Sequence, residues 1–304
     1  MKPIHIKTIS EFHKLNKLPP PEHPLISIVD YAKVAAAKTD DNLHPIVGDY
    51  YSVSVKRNLP GKMRYGQQEY DFDEGIMYAM APGQVLYPSP KINDGDHPSG
   101  WILLIHPDFL WNTSLAKNIK HYGYFDYAVN EALFLSEKEE VTINSIIQNI
   151  QQEYQSNIDK FSQGIIISQI ETMLNYADRF YQRQFITRKI NNHLILDRLE
   201  QLLARYFNDD SMAVKGLPTV QNIAEALNTS PGYLSNLLKT LTGQSTQQHI
   251  HDKLIAKAKE KLSTTDLSVS EIAYELGFEH SQSFSKLFKS KTKQSPLEFR
   301  AAFN

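Results

Sequence analysis

The sequence predicts an α+β chain of two domains: an antiparallel β-sandwich or barrel ending in a helical hairpin, then an all-α domain with two helix-turn-helix units joined by a linker helix. Three observations predict this. A length of 304 residues suits two ordinary hydrophobic cores. The apolar period changes from two to about 3.6 residues near Ser136. Finally, one pattern near the C-terminus occurs twice.

The strand region runs from about Tyr50 to His106. It alternates in short runs such as Tyr51-Ser-Val53-Ser-Val55, broken by Pro60-Gly61, Gly75 and Pro82-Gly83, and closes with Trp101-Ile-Leu-Leu-Ile105. Aromatic residues are dense here and include Tyr65, Tyr78 and Trp101. They have two readings: the packed interior of a sandwich, or the lining of a pocket for a small molecule.

From Ser136 the spacing is helical, with Ile143, Ile146, Ile147, Ile150 and Tyr154 on one face. A second helix begins near Phe161 and carries Ile166, Ile170, Leu174, Ala177 and Tyr181. The pair is expected to form a hairpin over about 136–182. Residues 183–192 are polar and basic without a period, the signature of a linker. Leu196, Leu199, Leu203 and Tyr206 then mark a further helix, closed by Asn208-Asp-Asp210 and Gly216.

The repeat follows. Val220, Ile223, Ala224 and Leu227 recur as Val269, Ile272, Ala273 and Leu276, an offset of 269 − 220 = 49. Leu234, Leu237, Lys239, Gln244 and Ser245 recur one residue later still, as Phe284, Leu287, Lys289, Gln294 and Ser295. Each unit reads as a short helix, a tight turn and a second helix. Ser268 and Glu271 form a capping box, Ser230-Pro231 supplies an N-cap with proline in the first turn, and Gly243 and Gly277 close helices. Phe278 is expected to plug the second corner. Ala224 and Ala273 stand where two helices must cross closely. Ile250, Leu254, Ile255, Ala258 and Leu262 give the amphipathic helix between the units.

Composition excludes several classes. A net charge of −2 does not fit a uniformly basic nucleic-acid coat protein, and the absence of cysteine removes disulfides, thiolate metal sites and cysteine nucleophiles. Met1 to Leu25 has no apolar core of signal-peptide length, and no segment approaches a bilayer span, so a cytoplasmic protein without membrane contact is expected. His97 and His106 are too isolated to hold a catalytic metal, and no Ser/His/Asp set or phosphate-binding glycine loop is present. The reading is therefore not an enzyme, with no cofactor and no metal.

The stretches Ser270-Glu-Ile-Ala-Tyr-Glu-Leu-Gly-Phe278, Ser281-Gln-Ser-Phe-Ser-Lys-Leu-Phe-Lys289 and Ser295-Pro-Leu-Glu-Phe-Arg300 resemble the DNA-binding domain of the AraC/XylS family of transcription regulators. The resemblance covers about residues 193–304. It implies a sequence-specific regulator of transcription, with promoter double-stranded DNA as partner, a small-molecule effector, a homodimer, and RNA polymerase as a further partner in activation. For residues 1–182 it implies a cupin-like effector-binding and dimerisation domain. The units then lie at about 219–243 and 268–293, with the linker helix at 246–263. Two other classes compete: a cupin-type enzyme addressed by a DNA-binding domain, and an architectural protein reading DNA shape.

In such a domain the second helix of each unit enters the major groove. Aligning the repeats makes Gly232, Ser235 and Asn236, and Ser281, Gln282, Ser283 and Lys286, the base-reading candidates. Asn and Gln can hold adenine through two hydrogen bonds, and Lys can donate to guanine. Ser230, Lys239, Lys289, Lys291, Thr292 and Lys293 are the phosphate candidates. Lys286 stands where the family commonly has arginine. From Leu217 onward there are 10 Lys and Arg against 8 Asp and Glu, a net of +2, so a second copy is expected to strengthen binding. Tyr65, Tyr78 and Trp101 are the effector-pocket candidates, and Ile143, Ile147, Ile150, Tyr154, Ile170 and Leu174 the dimerisation candidates.

Overall fold

The strands gather in the first part of the chain, as a computed structural model shows; it describes residues 3–37, 44–58, 64–65, 68–69, 75–87, 97–128, 131–156, 159–187, 189–208 and 216–302. The chain separates into two compact units, Met1–Gln184 and Phe185–Asn304.

The first unit is rich in strands. They are β1 (Ile4–Ile6), β2 (Ile26–Asp30), β3 (Ile46–Gly48), β4 (Tyr51–Arg57), β5 (Arg64–Tyr65), β6 (Gln68–Glu69), β7 (Ile76–Met80), β8 (Val85–Leu86), β9 (Ser99–Ile105) and β10 (Leu133–Phe134). Five form an antiparallel sheet in the order β10-β7-β4-β9-β2, and β1-β3-β8 form a second sheet in which β1 runs parallel to β3. The alternating run at residues 51–55 lies in β4, the centre of the larger sheet. Three successive residues of it are buried, Val53 at 0%, Ser54 at 5% and Val55 at 1% exposure, so both faces of that sheet are covered.

Two short helices accompany the sheets: α1 (Ile9–Leu15) and α2 (Tyr31–Ala36). A capping box starts α1: Thr8 Oγ1 accepts from the Glu11 N–H at 3.1 Å while the Glu11 carboxylate accepts from the Thr8 N–H. Ile6, Ile9, Phe12, Val29, Tyr31, Val34, Tyr50, Ile102 and Leu104 form one buried cluster that joins both sheets to both helices.

After α3 (Ser114–Asn118), the hairpin helices are α4 (Glu137–Gln155) and α5 (Ser162–Thr187). Three polar ties hold α4 to the larger sheet. Trp101 Nε1 donates to Asn144 Oδ1 at 2.8 Å, Arg57 donates through two nitrogens to Glu140 Oε2, and the Ile28 N–H donates to the Tyr154 hydroxyl. Gly75 lies beside this tie, and a Cβ there would press on the Glu140 carboxylate and displace it. Arg183 clamps α5 to the start of α4, donating to both Glu139 oxygens and to the Phe134 carbonyl.

The apolar stripe chosen for dimerisation has a different place. Ile143, Ile147, Ile150, Tyr154, Ile170 and Leu174 are each at most 7% exposed within their own unit. A stripe covered by its own sheet and loops cannot also meet a twin without opening that core. The large apolar residues that do face outward here are Val141 at 65% exposure on α4, Phe161 at 61% just before α5, and Ile165 at 45% and Ile186 at 54% on α5. The segment 183–192, aperiodic in sequence, is helical on both sides of residue 188: α5 continues through Thr187 and α6 (Lys189–Asn208) begins at once.

The second unit is all helical: α6, α7 (Val220–Ala226), α8 (Pro231–Thr242), α9 (Thr246–Thr264), α10 (Val269–Glu275), α11 (Ser281–Thr292) and α12 (Pro296–Ala301). One core runs through it. Leu199, Leu203 and Phe207 of α6 join Ile223, Leu234, Leu238, Leu254, Ala258, Ile272, Phe284 and Phe288 in a single cluster. Among the described residues no helix is long and apolar enough to cross a membrane.

Candidate nucleic-acid interface

Local signals build the two helix pairs. Thr219 caps α7, its hydroxyl accepting from the Asn222 N–H, and Ser268 caps α10 with Glu271 bonded back to it. Those bonds to Ser268 hold the Glu271 carboxyl below its ordinary pKa. Ser230 caps α8 by accepting from the Tyr233 N–H at 3.2 Å, with Pro231 in the first turn. Ala224 and Ala273 are both fully buried at the helix crossings.

The two turns solve the same reversal with different residues. Asn228 takes a left-handed backbone (φ 55°) between α7 and α8, and Gly277 takes it (φ 82°) between α10 and α11. Asparagine tolerates this region better than most residues. At Gly277 there is no room for any side chain, since a Cβ would lie 2.9 Å from the Gly216 carbonyl carbon. Phe278 packs edge-on against Phe284 (5.5 Å between ring centres), and Phe284, Phe288 and Phe299 continue the aromatic row.

On α11, Gln282, Ser283 and Lys286 are exposed, and Ser281 is half-buried. With Lys289 they make a polar stripe along one side. On α8, Gly232 and Asn236 are half-buried and Lys239 is exposed, giving the matching stripe at i, i+4 and i+7. Ser235 stands apart. Its hydroxyl hydrogen-bonds Thr246 Oγ1 at 3.0 Å, and Thr246 is fully buried, so Ser235 joins α8 to the start of α9.

The phosphate candidates also divide. Lys239 and Lys289 are exposed. Lys293 ends α11 in a left-handed conformation (φ 66°), with its ammonium on the Ser290 carbonyl. Thr292 is internal to the helix end: its hydroxyl donates to the Phe288 carbonyl at 2.8 Å and receives the Gln294 N–H. Lys291 pairs with Asp252 of α9 at 3.0 Å. The other oxygen of Asp252 accepts from Gln244 Nε2 at 2.9 Å, just past α8. This carboxylate was not singled out in the sequence, where nothing local marks an aspartate on the linker helix as a bridge. Arg300, part of the signature stretch, donates to the Leu262 and Leu267 carbonyls and so ties α12 to the end of α9.

In the first unit the pocket candidates do not converge. Tyr78 lies half-buried on β7 and pairs in register with Ser54; Trp101 pairs with Val55, one residue along, and so lies on the opposite face. The side chain of Tyr65 lies outside the described residues. No group of three or more His, Asp or Glu side chains that could hold a metal occurs among the described residues.

Residues 223–302 match a family model described as a helix-turn-helix domain. Over 116 residues the chain is 30% identical to an uncharacterized HTH-type transcriptional regulator in the cgkA 5′ region of Pseudoalteromonas carrageenovora, a match covering 38% of this chain and 64% of that one. Over 104 residues it is 36% identical to the HTH-type transcriptional activator RhaS of Yersinia pestis, covering 34% of this chain and 37% of RhaS. Among solved structures, the C-terminal domain of AraT, a response regulator from Geobacillus stearothermophilus, is similar over 36% of this chain and 84% of that chain, at 31% identity and a TM-score of 0.32. The chain spans less than two thirds of the length of these curated relatives.

Proposed function

The C-terminal domain of this chain is of the AraC/XylS helix-turn-helix type, and from that premise we propose that the protein is a sequence-specific, effector-responsive regulator of transcription that binds promoter DNA. One observation carries the reading. Two polar stripes, Gly232-Asn236-Lys239 and Gln282-Lys286-Lys289, recur at equivalent positions on two helices built into a single core. A shared core makes the two helices one rigid reader, suited to two successive major grooves ~34 Å apart on one face of the duplex. Asn236, Gln282 and Lys286 are the base readers of this proposal, with Ser281 and Ser283 beside them. Lys239, Lys289 and Lys293 hold phosphates, while Lys291 is held by Asp252.

The first unit is read as the cupin-like effector and dimerisation domain, bounded at about residue 182, with 183–192 as the connection. A second copy would meet the outward side of the hairpin, where Val141, Phe161 and Ile165 are exposed. The protein acts in the cytoplasm, as an activator working with RNA polymerase, and is not an enzyme.

Selection of bound fragments from random DNA tests the central claim. Intact protein should enrich a motif of about two helical turns, and Gln282→Ala and Asn236→Ala should each relax different positions of it. Absence of any enriched motif would refute sequence-specific regulation and leave the shape-reading alternative.

A further inference from the structure

The duplicated units differ along one side of their reading helices. On α8, Tyr233 and Leu237 each stand one residue on from Gly232 and Asn236, about 100° round the helix from the reading stripe. Both are buried, Tyr233 at 2% and Leu237 at 0% exposure, yet neither belongs to the cluster that holds Leu234 and Leu238 of the same helix. At an offset of 283 − 233 = 50, their counterparts on α11 are Ser283, which is exposed, and Leu287, which is half-buried. The first reading helix therefore buries a face that the second leaves more open.

Phe185 covers part of that face. Its ring meets the Tyr233 ring edge-on, at 5.2 Å between centres and 76° between planes, and is itself 1% exposed. It lies in the last turn of α5, within the compact unit that runs from Phe185 to Asn304. In the chain it precedes residues 223–302, which match the helix-turn-helix model, and it falls in the segment 183–192 whose sequence reads as a linker. The serine at 283 offers no ring for such a contact.

We propose that Phe185 is a positioning residue for DNA reading: packed on Tyr233, it fixes the rotation of α8 so that Asn236 meets its base edge in register. A helix of 12 residues seated on a core through Leu234 and Leu238 can roll about its own axis unless contacts off that line stop it. The bond from Ser235 to buried Thr246 braces one flank of the reading stripe. Tyr233 stands about 200° round the helix from Ser235, so Phe185 braces the other. A roll of even ~10–20° takes a paired base contact out of its productive geometry. The inference rests on the DNA-reading function proposed above and adds to it a residue outside the repeat.

Fragment selection from random DNA with full-length wild type, Phe185→Ala and Phe185→Leu tests this, with melting curves on the same samples. Asn236→Ala and Gln282→Ala first assign the two halves of the motif. In Phe185→Ala, discrimination at the Asn236 position should fall roughly tenfold, the scale of one bidentate contact, while the Gln282 position keeps its preference. Phe185→Leu, which keeps apolar bulk without the ring edge, should show a smaller loss confined to the same half. The Gln282 half is an internal control, because an unfolded unit would lose both halves together. If Phe185→Ala does lose both along with its melting transition, Phe185→Leu decides: a loss confined to the Asn236 half supports the proposal, and an unchanged or evenly weakened motif overturns it. An unaltered motif in Phe185→Ala overturns the inference and leaves sequence-specific binding standing. No motif from the wild-type protein defeats that function, and this inference with it.

Discussion

Asp252 and Lys291 form an ion pair at 3.0 Å that fastens the linker helix to the last turn of the second reading helix. Because Asp252 also holds Gln244, one carboxylate touches the trailing ends of both helix-turn-helix units. Lys291 is therefore engaged within the protein before any phosphate arrives. Both partners are partly exposed, so the pair itself contributes little, roughly 0–1 kcal/mol.

Replacing Asp252 with Asn should release Lys291 to the DNA backbone. DNA affinity should rise a few-fold at low salt, and the slope of log K against log salt should steepen by up to about 0.9 per added phosphate contact. Lys291→Ala should do the reverse. Titrations at several salt concentrations check both, and an unchanged slope in Asp252→Asn would show that Lys291 does not reach a phosphate.

Gln282→Ala should cost about 1–3 kcal/mol at one base position and little elsewhere. Ser235→Ala should leave base preference intact and instead lower the stability of the C-terminal unit by about 0.5–1.5 kcal/mol, through loss of the bond to buried Thr246. Binding to single-base variants of the selected site, paired with denaturant melts, distinguishes the two.

Gly277→Ala should destabilise the second unit by at least about 1–3 kcal/mol, because it combines a left-handed backbone with a collision against Gly216. Asn228→Gly should be nearly neutral, since glycine accepts the same conformation freely. Thermal melts of the two variants measure the contrast.

Alkali should loosen the first unit. Burial, the largest cause, holds the Tyr124 hydroxyl protonated well above its ordinary pKa, and the hydroxyl donates to the Leu174 carbonyl on α5. The folded state thus keeps a proton that the unfolded chain releases near pH ~10. Its contribution is complete below that pH and declines as pH rises above it. Tyr124→Phe should cost about 0.5–1.5 kcal/mol at neutral pH and show a shallower loss of stability on the alkaline side, followed by circular dichroism.

The C-terminal domain was legible in the sequence because its signals are local. Ser268 with Glu271, Ser230 with Pro231, and Gly243 each fix a helix end within four residues, and the apolar pattern occurs twice. The same capping signature at Thr8 and Glu11 starts α1, but it stands in a stretch whose apolar residues show no helical period to go with it. The three-residue strands β1 and β3 leave no alternation to read, and their parallel pairing brings together residues some forty positions apart. Helical spacing placed Ser235 and Thr292 on the surface, but only the neighbouring elements reveal that their hydroxyls are engaged at home. The hairpin stripe was read correctly as apolar, while the partner it covers, its own sheet, lay beyond what periodicity encodes.

The unequal turns at Asn228 and Gly277 carry a lesson for anyone who would treat the duplicated units as cassettes. The first reversal is self-contained, so its short helix pair could be exchanged for another with small loss. The second is keyed to the backbone at Gly216 and Leu217, which lies before both units in the chain. A chimera that imports a foreign second unit must therefore bring the matching stretch near residue 216 with it. The module that can be transplanted is thus larger than the repeat suggests, and reprogramming DNA preference should begin with substitutions on α8 and α11 that leave the corners untouched.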